Sequence, residues 1–196
     1  MAPASAVPDV YYYIFGLYEP VLAFLGFIGV LADPKAMHDS QATDPATATP
    51  LARATLVTII QLGHTCALLG LLNLCILRAL RAHLAAVPAI QERLATALLT
   101  PLLVGDVLHI VLTLWALGDA RWDLADWSAT TWATVVLGLT LLVPRAGWHA
   151  GVGRYVDTRD GAFQRMADVP SQLIARPLKT EVLSARKDTD VDHLSI

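Results

Sequence analysis

The chain has 196 residues, of which 55% are hydrophobic and only 16% charged, against about 25% charged in an average soluble domain. Mean hydropathy is +0.52, net charge −3 and the pI near 6.0. These values exclude a disordered chain, a collagen-like repeat and a disulfide scaffold, and they give nucleic acid no basic surface to bind.

Crossing a bilayer takes about 17 to 25 apolar residues, and four stretches are long enough. Residues 1–10 form a short N-terminal segment ahead of the first, Tyr11 to Ala32, which carries one charge, Glu19. No Lys or Arg precedes Lys35, so this stretch reads as a retained span and not as a cleaved signal. Pro20 lacks an N–H and is expected to kink the helix beside Glu19, freeing the Gly16 carbonyl. A polar connection from Asp33 to Pro50 leads to the second span, Ala54 to Leu77, which is uncharged but holds Gln61, His64 and Asn73. An Arg-bearing turn region, Arg78 to Arg93, precedes the third, Leu94 to Leu117, with Asp106 and His109. A short acidic loop, Gly118 to Asp126, opens the fourth, Trp127 to Val143, which stops at Pro144-Arg145. Residues 145–196 read as a polar, mobile tail. The expected fold is all-α: a four-helix transmembrane bundle.

Basic residues set the expected orientation. Arg78, Arg81, Arg93, Arg145 and the basic residues of the tail fall on one side, and only Lys35, Arg53 and Arg121 on the other. The positive-inside rule then makes both termini cytosolic. Tyr11, Tyr12 and Tyr13 become an inner interfacial belt, and Trp115, Trp122 and Trp127 an outer one. The endoplasmic reticulum is the default membrane. Cys66 and Cys75, nine residues apart on one helix, stand about 13 Å from each other and do not form a disulfide.

Ionisable groups inside hydrocarbon cost about 2.5 to 3.5 kcal/mol at mid-helix, so each one asks for a reason. At 1.5 Å per residue from the cytosolic ends, Glu19 lies about 12 Å deep, Trp132 and Asp106 about 17 to 18 Å, and His64 and His109 about 20 to 22 Å. The expectation is that these helices bring their polar groups to one level, with Trp132 from the fourth. Asp106 and His109 share a face at i and i+3, as do Gln61 and His64. Gly63, Gly70 and Gly105 are expected to let neighbouring helices approach closely. Asn73 and Gln61 read as helix–helix hydrogen-bonding residues. The spacing contains no HxxxH or HExxH pattern, so no metal is expected.

A carboxyl group in a dry pocket can stay protonated near neutrality and can protonate a double bond or epoxide of a lipid-dissolved substrate. Glu19 and Asp106 are the acid candidates, with His109 and His64 as their partners. Tyr18, Trp115 and Trp132 offer π faces for a carbocation, and Gln61 a polar contact to substrate. That chemistry suits isomerisation or cyclisation of a terpenoid, sterol or polyketide without a cofactor, and the sequence contains no cofactor motif. Two other readings remain open: a lipid-binding or accessory protein of a membrane biosynthetic complex, and a carrier, for which four unrepeated spans would need to dimerise. The expected partners are membrane lipids, a lipophilic small molecule, and a second copy or other membrane enzymes.

Tyr11 to Pro20, the Gln61 region, Gly105-Asp106-Val107-Leu108-His109, Trp115, Trp127 and Trp132 together resemble a group of small fungal four-span membrane proteins classed as a domain of unknown function. The resemblance covers Val7 to Tyr155 and leaves the tail outside. The sequence departs from the group's Tyr-x-Glu-Pro pattern, because Tyr18 directly precedes Glu19. The resemblance implies a fungal integral membrane protein and no particular reaction. In architecture alone, four spans with buried acids and a tryptophan look like sterol isomerase-type bundles and fungal membrane-bound terpene cyclases, and such likeness does not carry function over.

Overall fold

The computed structural model describes residues 5–41 and 49–161. Four of its helices are long and apolar enough to cross a membrane, and no strand occurs among the described residues. The chain is therefore built as a multi-pass membrane protein. Helix α1 is Asp9–Ala32, the short α2 is Pro34–Asp39, α3 is Arg53–Leu84, α4 is Pro88–Ala116 and α5 is Ala129–His149.

Local chemistry sets the helix ends, and these differ from the edges of the apolar runs. Asp33 accepts from the Ala36 N–H at 2.8 Å and starts α2, with Pro34 in its first turn. Ser128 accepts from the Thr131 N–H at 3.0 Å and starts α5. Pro88 opens α4 six residues before the expected start, and Gly118, at φ +58°, follows its end. Helix α3 runs on through Arg81 and His83 to Leu84, where cations suit the helix C-terminus. The largest correction concerns the fourth span, which continues through Pro144 and Arg145 to His149.

A change of helix type precedes Pro20. Tyr12–Tyr18 forms a π-helical turn in which the Glu19 N–H reaches back to the Ile14 carbonyl. The wider turn absorbs the donor that Pro20 lacks, immediately before the one acid of this span.

Helix α1 packs along α3, and α4 along α5. Gly70 makes the first pairing close: a Cβ there would stand 3.0 Å from the Pro20 Cα and 3.1 Å from the Ala23 Cβ. Gly63 does the same beneath Phe27 and Val30, whereas a Cβ at Gly105 would meet no other part of the described residues within 4 Å, so the expected close approach does not occur there. The π turn of α1 also touches α3 and α5. Beyond Glu19, α1 has at most marginal contact with α4 or α5. Two helix pairs thus converge at one end and part along the other half, leaving a lateral cleft. At the far end Ser40 and Gln41 bridge it: Ser128 Oγ donates to the Ser40 carbonyl at 2.5 Å and Thr131 Oγ1 to the Gln41 carbonyl at 3.3 Å.

The buried core sits at the converging end, where Val7, Tyr11, Phe15, Leu77, Leu80, Ala95, Leu99 and Trp148 pack together. A polar cap covers it. Gln91 is fully buried, accepts from the Ala6 N–H at 2.9 Å and donates to the Leu80 carbonyl at 3.1 Å. Trp148 Nε1 donates to the Ala6 carbonyl at 2.9 Å, and Tyr155 N–H to the Ser5 carbonyl at 3.0 Å. Residues 145–161 are accordingly helix and packed loop, not mobile tail. The remainder of that expectation, residues 162–196, lies outside the described residues.

Candidate functional site

Two carboxylates and one guanidinium meet where the helix pairs converge. Arg145 Nη2 donates to Glu19 Oε2 at 2.5 Å, and Nη1 donates to Asp106 Oδ2. The guanidinium carbon stands 4.9 Å from the centroid of the Phe15 ring. The three charged residues come from α1, α4 and α5, so the triad ties the two helix pairs together.

Helix direction explains how a residue near the end of α5 reaches acids far inside the other helices. Side chains lean toward the N-terminus of their own helix. Helices α1 and α4 start at the capped end, so Glu19 and Asp106 lean toward it. Helix α5 ends there, so Arg145 leans the opposite way, into the bundle. The long arginine and the two acids meet head-on.

The arrangement is uneven in access. The Arg145 side chain is fully buried, while Glu19 and Asp106 each keep 15% of their side-chain surface accessible. In charge, one cation faces two acids. In a low-dielectric interior the group is neutral only when one proton is bound among the carboxyls. Asn73 of α3 stands beside Glu19, and it too is buried.

The other candidates are spread out. Tyr18 is nearest in the chain and its hydroxyl lies 3.0 Å from Thr140 Oγ1 of α5. His109 stands one turn beyond Asp106, within electrostatic reach of it, exposed and beside Gly138. His64 is exposed and packs edge-on against Phe27, with ring centroids 6.1 Å apart, about 12 Å along α1 from Glu19. Gln61 is exposed one turn before it. Trp132 pairs with Trp127 at 4.9 Å near the far end, and Trp115 is 73% exposed. The expected single level of polar groups therefore holds for Glu19 and Asp106 and not for His64 or Trp132. Among the described residues no three His, Cys, Asp or Glu side chains gather as metal ligands would.

Arg145 is the residue that reading the sequence missed. Hydropathy ends the fourth span at Pro144 and assigns the arginine to water. The signal lay in the charge balance, since two acids in hydrocarbon call for a cation within a helical turn or two of an apolar run.

The sequence matches the family model "Domain of unknown function (DUF7704)" over residues 4–155. The chain belongs to that family. The DUF7704 match takes in all four long helices and the capping segments up to Tyr155, and so every member of the triad. No curated protein and no solved structure matches the chain.

Proposed function

We propose that this protein binds a lipophilic small molecule in the lateral cleft and uses the proton held by the Glu19–Arg145–Asp106 triad for acid-catalysed isomerisation or cyclisation. The observation that carries this reading is the uneven access: the guanidinium is sealed while both carboxyl groups keep a face open. A terpenoid, sterol or polyketide dissolved in the bilayer would enter between α1 and the α4/α5 pair.

The chemistry balances without a cofactor. The protonated carboxyl gives its proton to one carbon of a double bond, leaving a carbocation on the other. The triad then carries one net negative charge, which favours that cation in a site of low dielectric. Loss of a proton from a neighbouring carbon back to the carboxylate completes an isomerisation; attack by a second double bond before that loss completes a cyclisation. The ring found against the triad is Phe15, 4.9 Å from the guanidinium, and Tyr18, one residue before Glu19, is the further aromatic candidate. In this reading the termini face the cytosol and the host membrane is the endoplasmic reticulum, as the basic residues of the loops suggest.

A second reading, a non-catalytic lipid-binding or accessory role, draws on the fact that Arg145 already engages both acids. Lipid extracts from a fungal host expressing wild type, Glu19→Gln or Asp106→Asn separate the two. With equal protein in the membrane, disappearance of one lipophilic isomer in either variant supports catalysis. Unchanged profiles leave the accessory role.

A further inference from the structure

Away from the triad, at the far end of α4, a groove of about 270 Å³ is lined by Leu114, Arg121, Trp122, Leu124 and Trp127. Apart from the Arg121 head group these side chains are aliphatic or indole, so the groove favours hydrocarbon. Its floor is preformed. Trp127 is buried, its Nε1–H donates to the Ala120 carbonyl at 3.1 Å, and its ring packs on Trp132 with centroids 4.9 Å apart. Its outer wall faces outward: Trp122 and Leu124 are 77% and 50% exposed.

Position decides what can reach the groove. Leu114 belongs to the last turn of α4, and Leu112 and Trp115 beside it are both more than half exposed. On a helix that crosses a membrane such a face meets lipid, and indoles at the end of a span sit at the boundary with water. The groove therefore opens where the lipid-facing surface of α4 passes into the headgroup layer.

Charge narrows the occupant. The Arg121 guanidinium carbon stands 5.0 Å from the centroid of the Trp122 ring, and among the described residues it has no hydrogen bond or ion pair. Stacking uses the face of the guanidinium and leaves its in-plane N–H fork available to a phosphate. The same loop carries three exposed acids, Asp119, Asp123 and Asp126, which likewise have no ion pair among the described residues. One cation among three acids disfavours a headgroup of net negative charge. It suits one in which a phosphate is followed by an ammonium.

We propose that this groove binds one zwitterionic phospholipid, with its phosphate on Arg121, its ammonium among the loop acids and the upper part of an acyl chain against Leu114, Leu124 and Trp127. The lipid holds Trp127 at a fixed depth, and with it the adjacent Ser128, which ties α5 to Ser40 at the far end of the cleft. No member of the triad takes part, so the site does not depend on the acid chemistry proposed above.

The test titrates the purified full chain, delipidated in mild detergent, with phosphatidylcholine, phosphatidylglycerol or diacylglycerol of the same acyl chains, and counts bound lipid by native mass spectrometry. Wild type should take up one phosphatidylcholine about fivefold more tightly than either of the others. Leu124→Ser should weaken that binding about tenfold, and Arg121→Gln should bring it down to the level of diacylglycerol. Trp127 stays in place in each variant so that the loop keeps its floor, and elution on gel filtration should not change. Asp123→Asn combined with Asp126→Asn should raise phosphatidylglycerol toward phosphatidylcholine, a gain that a misfolded loop cannot imitate.

Equal binding of the three lipids by wild type overturns the proposal and leaves a groove for any acyl chain. A preference for phosphatidylglycerol, or no bound phosphatidylcholine, overturns it as well. So does phosphatidylcholine binding that is unchanged in both Arg121→Gln and Leu124→Ser, which would put the lipid elsewhere on the chain.

Discussion

Arg145 and Arg154 lie on the same stretch of chain and invite comparison. Each is buried, stacked on an aromatic ring and paired with acid, Arg145 on Phe15 and Arg154 on Trp148 at 3.9 Å. Their other partners differ. Arg154 Nε donates to the Trp148 carbonyl at 2.6 Å, and its Nη1 to the Tyr155 carbonyl and Glu92 Oε1, each at 2.6 Å. It knits the end of α5, the loop after it and the start of α4 with backbone acceptors. Among the described residues, the side-chain hydrogen bonds of Arg145 go to two carboxyls from different helices. The cap arginine thus joins backbone to backbone, and the bundle arginine joins charge to charge across the helix pairs.

Removing Arg145 should be the most damaging change in the molecule. Arg145→Met leaves two acids in the bundle with no cation, and breaking a buried pair typically costs about 3 to 5 kcal/mol. Fluorescence-detected gel filtration after heating should show a large loss of folded protein. Adding Glu19→Gln and Asp106→Asn should recover most of it, since the charges then leave together. If the triple variant remains as unstable as the single one, Arg145 acts through its packing on Phe15 and not through charge. Arg145→Lys tests the fork: it restores charge but cannot hold two carboxyls side by side, and should fall between.

Arg154→Met should be milder. Its loss leaves one acid, Glu92, without its cation where the loss of Arg145 leaves two, so a loss of about 2 kcal/mol is expected. The separation appears in proteolysis. Arg154→Met should expose the 150–161 segment to cleavage while the helices stay intact, whereas Arg145→Met should open the helices themselves. Cleavage patterns that match in the two variants would erase the distinction between a cap arginine and a bundle arginine.

The same contrast shows what the sequence reveals and what it hides. Four apolar runs of sufficient length announce four spans, because hydrocarbon permits little else. Glu19 and Asp106 stand out for the same reason. What hydropathy cannot see is that helices end at caps and not at charges: Ser128 and Gly118 mark true boundaries, while Arg81 and Arg145 lie inside helices. Depth counted from apolar edges also misplaces partners. His64 and Trp132 come out level with the acids on that count, yet His64 packs on Phe27 and Trp132 on Trp127. Asn73, read as a helix–helix contact, stands beside Glu19 because Gly70 lets α3 close on Pro20. That approach is legible only once the pairing of helices is known.

The smallest effect expected is a pH dependence confined to the cap. Asp160 is held below its ordinary value of 3.8 chiefly by hydrogen bonds from the Arg159 guanidinium, helped by the Val156 N–H, against an opposing cost of desolvation. Val156 N–H donates to Asp160 Oδ2 at 2.9 Å, and Arg159 Nη2 passes on to the Arg154 carbonyl at 2.6 Å. A depressed carboxyl contributes stability that is fully present above its unfolded value and is lost as pH falls through the lower folded one. The cap should therefore be unchanged from neutrality down to about pH 5 and loosen progressively below about pH 4. Hydrogen exchange at the Val156 amide reports it directly, and Asp160→Asn should flatten the profile while lowering protection at neutral pH. Exchange within the transmembrane part of α5 should not follow the same curve, because Asp160 acts on the segment that Arg154 anchors and has no contact with the triad.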